Sequence, residues 1–155
     1  MDIYFLRHGE AEDTAPDQTD AERPLTKKGR KQARKAGKWF AKNGISFEVI
    51  VSSPLLRASQ TAKPIAKKLG VGMIADARLS GGLLTVTGLV QLLNELDDPP
   101  SVLLVGHEPD FSEVIGRLIG GQVEMKKAAI ALVSCEFVTA GQAELRFLIP
   151  PELRG

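Results

Sequence analysis

Cysteine is almost absent: Cys135 is the only one in 155 residues, so no internal disulfide can form. A reducing cytoplasm is therefore permitted. Histidine is nearly as scarce, with only His8 and His107. Two imidazoles without a third fixed ligand make a poor zinc site, and neighbouring arginines repel a cation. Cys135 falls inside an apolar run read as strand, which argues against a cysteine nucleophile. No window approaches the roughly 20 apolar residues of a membrane span. Asp2 follows Met1 directly, and the first apolar run is too short for a signal peptide, so the expected location is cytoplasmic. No strand runs into a Gly-rich phosphate loop or a dinucleotide fingerprint. Neither repeats nor low-complexity segments occur. A formal net charge of +1 gives no global reason to expect nucleic acid or an anionic membrane as partner.

What is present is an ordinary globular composition, 43% hydrophobic and 25% charged. The length suits one domain, residues 1–155, with one sizeable core. The first notable stretch is Ile3-Tyr4-Phe5-Leu6, a short buried strand that breaks into Arg7-His8-Gly9-Glu10. Taken by itself, Arg7-His8 fits a surface ion pair beside a satisfied histidine. The strand exit is also where open α/β sheets bind ligands. Gly9, lacking a Cβ, lets the chain turn or a ligand approach closely.

The polar segment Glu10 to Arg23 reads as a solvated loop bordering that exit. Thr26 is a plausible N-cap for a helix from Lys27 to about Asn43. At about 100° per residue, Lys27, Arg30, Lys31, Arg34 and Lys38 share one face, with Ala33, Ala36, Trp39 and Phe40 opposite. The basic stripe is most simply a solvated face, though an acidic partner could use it. Phe47 to Val51 reads as a second strand that runs through Ser52-Ser53-Pro54 into a helix from about Ala58 to Leu69. Residues 70–74 form a short edge strand, and Val86 to about Leu96 a helix. Ser101 to Val105 is the most apolar strand and belongs at the centre of the sheet. It leads through Gly106-His107-Glu108 into a helix ending near Ile119. Ile130 to Val138 and Glu144 to Ile149 read as a hairpin closed tightly by residues 139–142. Alternating strands and helices predict a three-layer α/β/α sandwich with a mostly parallel sheet and a C-terminal hairpin.

Three strand exits carry cationic or reactive side chains: Arg7 with His8, Arg57, and His107. If those strands are neighbours, two guanidiniums and two imidazoles converge at helix N-termini, which describes a phosphate site.

Leu6-Arg7-His8-Gly9-Glu10, the run Ser52 to Ala58 with Gln60-Thr61-Ala62, and Val105-Gly106-His107 resemble the histidine phosphatase (phosphoglycerate mutase-like) superfamily. With Arg23-Pro24-Leu25-Thr26 and Gly29, the spacing is most similar to its small bacterial phosphohistidine phosphatases. The resemblance spans nearly the whole chain. It implies that His8 is a nucleophile that is transiently phosphorylated. It also implies that Arg7 and Arg57, with Gly9 beside them, bind the phosphoryl oxygens, and that His107 hydrogen-bonds them. No metal or other cofactor is implied, since arginines supply the positive charge.

Larger members carry a glutamate acid just after the third strand; here residues 76–81 contain none. Asp76 and Glu10 are the substitutes within reach in sequence. Without a strong acid, an alkoxide leaves poorly, whereas a phosphohistidine releases an imidazole whose conjugate acid has a pKa near ~6.5. Residues 75–100 also leave no segment for a lid. Both features favour a phosphohistidine-containing protein as substrate, such as a histidine phosphotransfer domain. The alternatives are a general phosphomonoesterase on small esters, a mutase, and a non-catalytic phosphate-binding module.

Overall fold

The computed structural model describes residues 1–155. Ten elements follow in chain order: β1 (Asp2–Arg7), α1 (Lys27–Lys42), β2 (Val49–Ser52), α2 (Leu56–Leu69), β3 (Met73–Ala75), α3 (Val86–Glu95), β4 (Ser101–Gly106), α4 (Asp110–Ile119), β5 (Ile130–Ser134) and β6 (Glu144–Ile149). The strands form one sheet in the order β3-β2-β4-β1-β5-β6. β3, β2, β4 and β1 pair in parallel; β5 runs antiparallel to β1, and β6 antiparallel to β5. β4 lies inside the sheet between β2 and β1, as its apolar run predicts.

Side-chain alternation along the strands builds the three layers. Ile3, Phe5, Val102 and Leu104 point to one face, where they pack with Leu89, Leu93, Phe111 and Ile115 of α3 and α4. Tyr4, Leu6, Leu103 and Val105 point to the other, against Ala36 and Phe40 of α1 and Ala58, Ala62 and Ile65 of α2. The apolar face of α1 predicted from its spacing is thus the buried one. Thr26 caps α1 by accepting from Gly29 N at 3.0 Å, and Thr85 caps α3 by accepting from Gly88 N at 2.9 Å. Gly70 and Gly120 end α2 and α4 in the left-handed conformation, φ 65° and 70°, which a residue without Cβ adopts freely.

Several boundaries differ from the sequence reading, and β3 covers Met73–Ala75 instead of residues 70–74 because those three residues are the ones that pair with Ile50, Val51 and Ser52 of β2. β2 starts at Val49, and Phe47 instead seals the core beneath Tyr4 and Phe40. α2 starts at Leu56, which brings Arg57 into its first turn. β5 ends at Ser134 rather than Val138 because its partner β1 runs out: Ser134 pairs with Asp2, and only Met1 lies beyond. Cys135 therefore sits just past the strand, and the hairpin connection spans residues 135–143 instead of a tight turn.

Candidate active site

The parallel neighbours β2, β4 and β1 end side by side, so their carboxyl ends meet in one cleft. His8 N donates to Gly106 O at 3.0 Å and Ser53 N to Val105 O at 2.9 Å, extending the ladders one residue past the strands. The cleft has a volume of about 330 Å³. Arg7, His8, Arg57 and His107 line it together with Ala11, Asp20, Arg23, Ser80, Gly81, Gly82, Glu108 and Lys127. The four residues singled out in the sequence are thus brought together.

His8 is 7% exposed. Its Nδ1 lies 2.7 Å from Gly9 O. A carbonyl only accepts, so Nδ1 carries the hydrogen and Nε2 keeps its lone pair whenever the ring is neutral. Burial pushes the ring down to about 3, assisted by His107, Arg57 and Arg7 and opposed by the Gly9 carbonyl. His8 is therefore neutral at physiological pH. Gly9 itself has a packing reason: a Cβ there would lie 2.8 Å from Gly29 O. Its amide donates to Thr61 Oγ1 at 3.1 Å, and Thr61 in turn donates to Arg57 O at 2.8 Å, fastening α2 to the nucleophile loop.

His107 is stacked at an angle beside His8, with ring centroids 5.1 Å apart. Its Nε2 lies 2.7 Å from Ser53 Oγ. Burial lowers it to about 4, with Arg57 adding to the shift and Asp110 and Asp20 opposing it. Arg7 anchors through Nη1 to Met125 O at 3.0 Å, and burial lowers its pKa while Glu108 and Glu124 oppose the shift. Arg57 donates from Nη1 to Asp20 O at 2.8 Å and from Nη2 to Asp20 Oδ2 at 3.1 Å. Arg7 Nε, Arg57 Nε and His107 Nδ1 are all buried without a hydrogen-bond partner. Buried polar groups are ordinarily satisfied, so three orphans in one cationic cleft describe a site built for an oxyanion.

One wall is held from beneath. Asp110, 5% exposed, accepts from the amides of Gly82, Leu83 and Leu84 at 3.0, 3.2 and 3.1 Å. This fixes the Ser80–Gly82 turn so that Gly81 lies against the His107 ring. The opposite wall is the Glu10–Arg23 loop. It borders the cleft through a 3-10 turn, Asp20–Glu22, with Arg23 Nη1 bonded to Asp20 Oδ1 at 3.1 Å.

The two carboxylates considered as acids lie outside the cleft lining. Glu10 accepts from Thr26 Oγ1 at 3.2 Å, and Asp76 is committed to Arg78 at 2.7 Å while capping the 3-10 turn that follows. The carboxylates that do line it are Asp20 and Glu108. Arg23, followed by Arg57, holds the Asp20 carboxyl below the usual range. Glu108 accepts from Ser112 N at 2.9 Å and from the Ser112 hydroxyl. Sequence reasoning missed Asp20 because nothing in a loop with six acidic residues singles one out. Glu108 had a signal, its place directly after His107. No three His, Cys, Asp or Glu side chains cluster so as to hold a metal ion.

The Histidine phosphatase superfamily (branch 1) profile matches residues 3–81, half of the chain. Phosphohistidine phosphatase SixA of Escherichia coli (strain K12) is 25% identical over 155 residues, covering 97% of this chain and 94% of that protein. The probable phosphoglycerate mutase GpmB of Klebsiella pneumoniae is 33% identical over 153 residues, covering 94% of this chain and 67% of that protein. The structure of the protein histidine phosphatase SixA complexed with tungstate superposes with a TM-score of 0.84 at 25% identity, covering 97% of both chains. The fold and the sequence together define a phosphoglycerate mutase-like α/β enzyme. The chain belongs to the histidine phosphatase superfamily.

Proposed function

We propose that this enzyme is a phosphohistidine phosphatase that removes the phosphoryl group from a histidine on a partner protein, such as a histidine phosphotransfer domain in a cytoplasmic relay. The observation that carries the chemistry is His8: neutral, with Nδ1–H fixed on Gly9 O and Nε2 free, in a cleft of guanidiniums. Nε2 attacks phosphorus as the bond from phosphorus to the substrate imidazole breaks; that imidazole, already protonated from solvent on its distal nitrogen, leaves as the neutral ring. A water then attacks the phosphorus on His8, releasing inorganic phosphate and restoring Nε2. Dividing the reaction in two lets one site lower both barriers. Arg7 and Arg57 stabilise charge on the equatorial oxygens, and His107 donates a hydrogen bond to them. Asp20 takes two of Arg57's donors, and an entering phosphoryl group competes for them.

The choice of leaving group rests on the carboxylates. Glu10 and Asp76 are committed elsewhere, Glu108 accepts from the Ser112 amide and hydroxyl with its two oxygens, and Asp20 is held ionised by Arg23 and Arg57. An imidazole departs under those conditions far more readily than an alkoxide. The similarity to SixA proteins supports the same reading. The test is turnover of a phosphotransfer domain phosphorylated with phosphoramidate, set against a series of alkyl phosphate esters. Acid-labile, base-stable phosphate on His8 is the expected intermediate. Equal or faster turnover of the alkyl esters would replace this reading with a general phosphomonoesterase, and absence of any phosphoenzyme would leave a binding module.

A further inference from the structure

α1 carries eight cations and no acidic residue in its sixteen positions, a charge pattern that the catalytic cleft does not use. Toward its second half the helix faces the Pro151–Leu153 turn across a groove of about 290 Å³. Lys35, Lys38, Trp39, Lys42 and Arg154 line this groove together with Pro151 and Gly155. It shares no residue with the lining of the catalytic cleft.

The floor of the groove separates it from an ordinary lysine-rich surface. Arg154 reaches inward and donates through Nη1 to the carbonyl of Ala128, whose own amide donates to His8 O at 3.1 Å. Its Nε and Nη2 are buried and have no partner. None of Lys35, Lys38, Lys42 or Arg154 takes part in an ion pair. Glu152 is the carboxylate felt by Arg154, and burial nevertheless outweighs it. A guanidinium cannot shed its charge at physiological pH, so two of its donors are desolvated and uncompensated beside three ammonium groups. A multivalent oxyanion is the ligand that satisfies all of this together: its oxygens accept from a planar fork, and its charge offsets the repulsion among the lysines. Trp39, half-buried and packed edge-on against Phe147 at 5.9 Å, gives the groove a stiff side wall.

We infer that the groove between α1 and the Pro151–Leu153 turn is a second anion site, distinct from the catalytic cleft, that binds a free phosphate-class oxyanion. Phosphate held here competes with nothing at His8, so the two sites fill independently. The probe is inorganic phosphate, titrated into the full chain while the Arg154 and Arg57 Nε–H signals are followed by ¹⁵N NMR. Both signals should shift and saturate, each along its own curve. The double variant Lys38→Glu/Lys42→Glu changes only exposed side chains. It should weaken the Arg154 curve at least tenfold and leave the Arg57 curve unchanged. Arg154→Gln should abolish the second event, and the charge-reversal pair keeps the test valid if that variant folds poorly. An Arg154 signal that stays still through tens of millimolar phosphate would overturn the inference, as would an unchanged curve in the double variant. An Arg154 shift produced by a deca-glutamate peptide but not by phosphate would overturn it too, making the groove a protein-docking surface.

Discussion

His8 and His107 stand 5.1 Å apart at the ends of adjacent strands, yet the two are not equivalent. His8 Nδ1 is tied to a carbonyl, which can only accept, so the ring's tautomer is set. His107 Nε2 meets a serine hydroxyl, which can donate or accept. Only His8 presents a nitrogen whose lone pair is fixed in advance. His8→Ala should therefore form no phosphoenzyme, whereas His107→Ala should still form one, slowed roughly 10²- to 10³-fold by loss of one preorganised donor. Quench-flow with labelled substrate checks both. Label appearing on His107 at a wild-type rate in the His8→Ala protein would reverse the assignment. Glu10→Gln and Asp76→Asn should keep kcat within about threefold of wild type, since neither side chain lines the cleft. A drop beyond tenfold in either, at unchanged stability, would restore that residue as the acid. The four cleft residues were legible because each follows a strand signature at a junction. Asp20 was not, because its partner Arg57 is 37 positions away and only the folded chain brings them together.

Elements meet around the site with little tolerance, and two contacts show it. A Cβ at Gly29 would sit 2.0 Å from Glu10 O, so the first turn of α1 rests directly on the loop that leaves β1. Backbone cannot swing aside there as a side-chain tip can. Gly29→Ala should cost roughly 3 kcal/mol, the upper end for overpacking, read as a shift in urea midpoint. Asp110→Ala leaves three amides without their acceptor, one of them on buried Leu84. The loss should be about 2–3 kcal/mol, with KM raised more than kcat falls, because the Ser80–Gly82 wall is freed while His8 is untouched. Unchanged KM would mean the wall plays no part in holding substrate. Much of this layer could be read in advance. The helical faces, the Thr26 cap and the central place of β4 follow from local periodicity and composition. The end of β5 did not, because it depends on where β1 stops supplying a partner. The grip of Asp110 on Gly82–Leu84 likewise joins segments 26 to 28 residues apart.

For the molecule as a whole, two neutral histidines buried among cations couple folding to acidity. His8 and His107 are pushed down to about 3 and about 4 in the folded chain, while an unfolded histidine titrates near ~6.5. Between those values the unfolded chain binds two protons that the folded chain refuses. Protons therefore draw the equilibrium toward unfolding as pH falls below ~6.5, and the loss levels off once the folded rings also protonate near 4 and 3. The slope should approach roughly 1.4 kcal/mol per pH unit for each ring. Asp20 acts in a different window: Arg23 and Arg57 lower its carboxyl from 3.8, so the stability it lends is lost only as pH falls below that value. The interval from about 6.5 down to about 4 thus belongs to the histidines. Urea unfolding at pH 7 and pH 5 should show a loss of roughly 3.5–4 kcal/mol in wild type. His8→Asn and His107→Asn should each remove about half of it, and the double variant should be nearly flat. Inorganic phosphate should shrink the wild-type slope as well, because a bound dianion lets both rings accept protons without unfolding. A double variant as acid-sensitive as wild type would show that the charge coupling resides elsewhere in the fold.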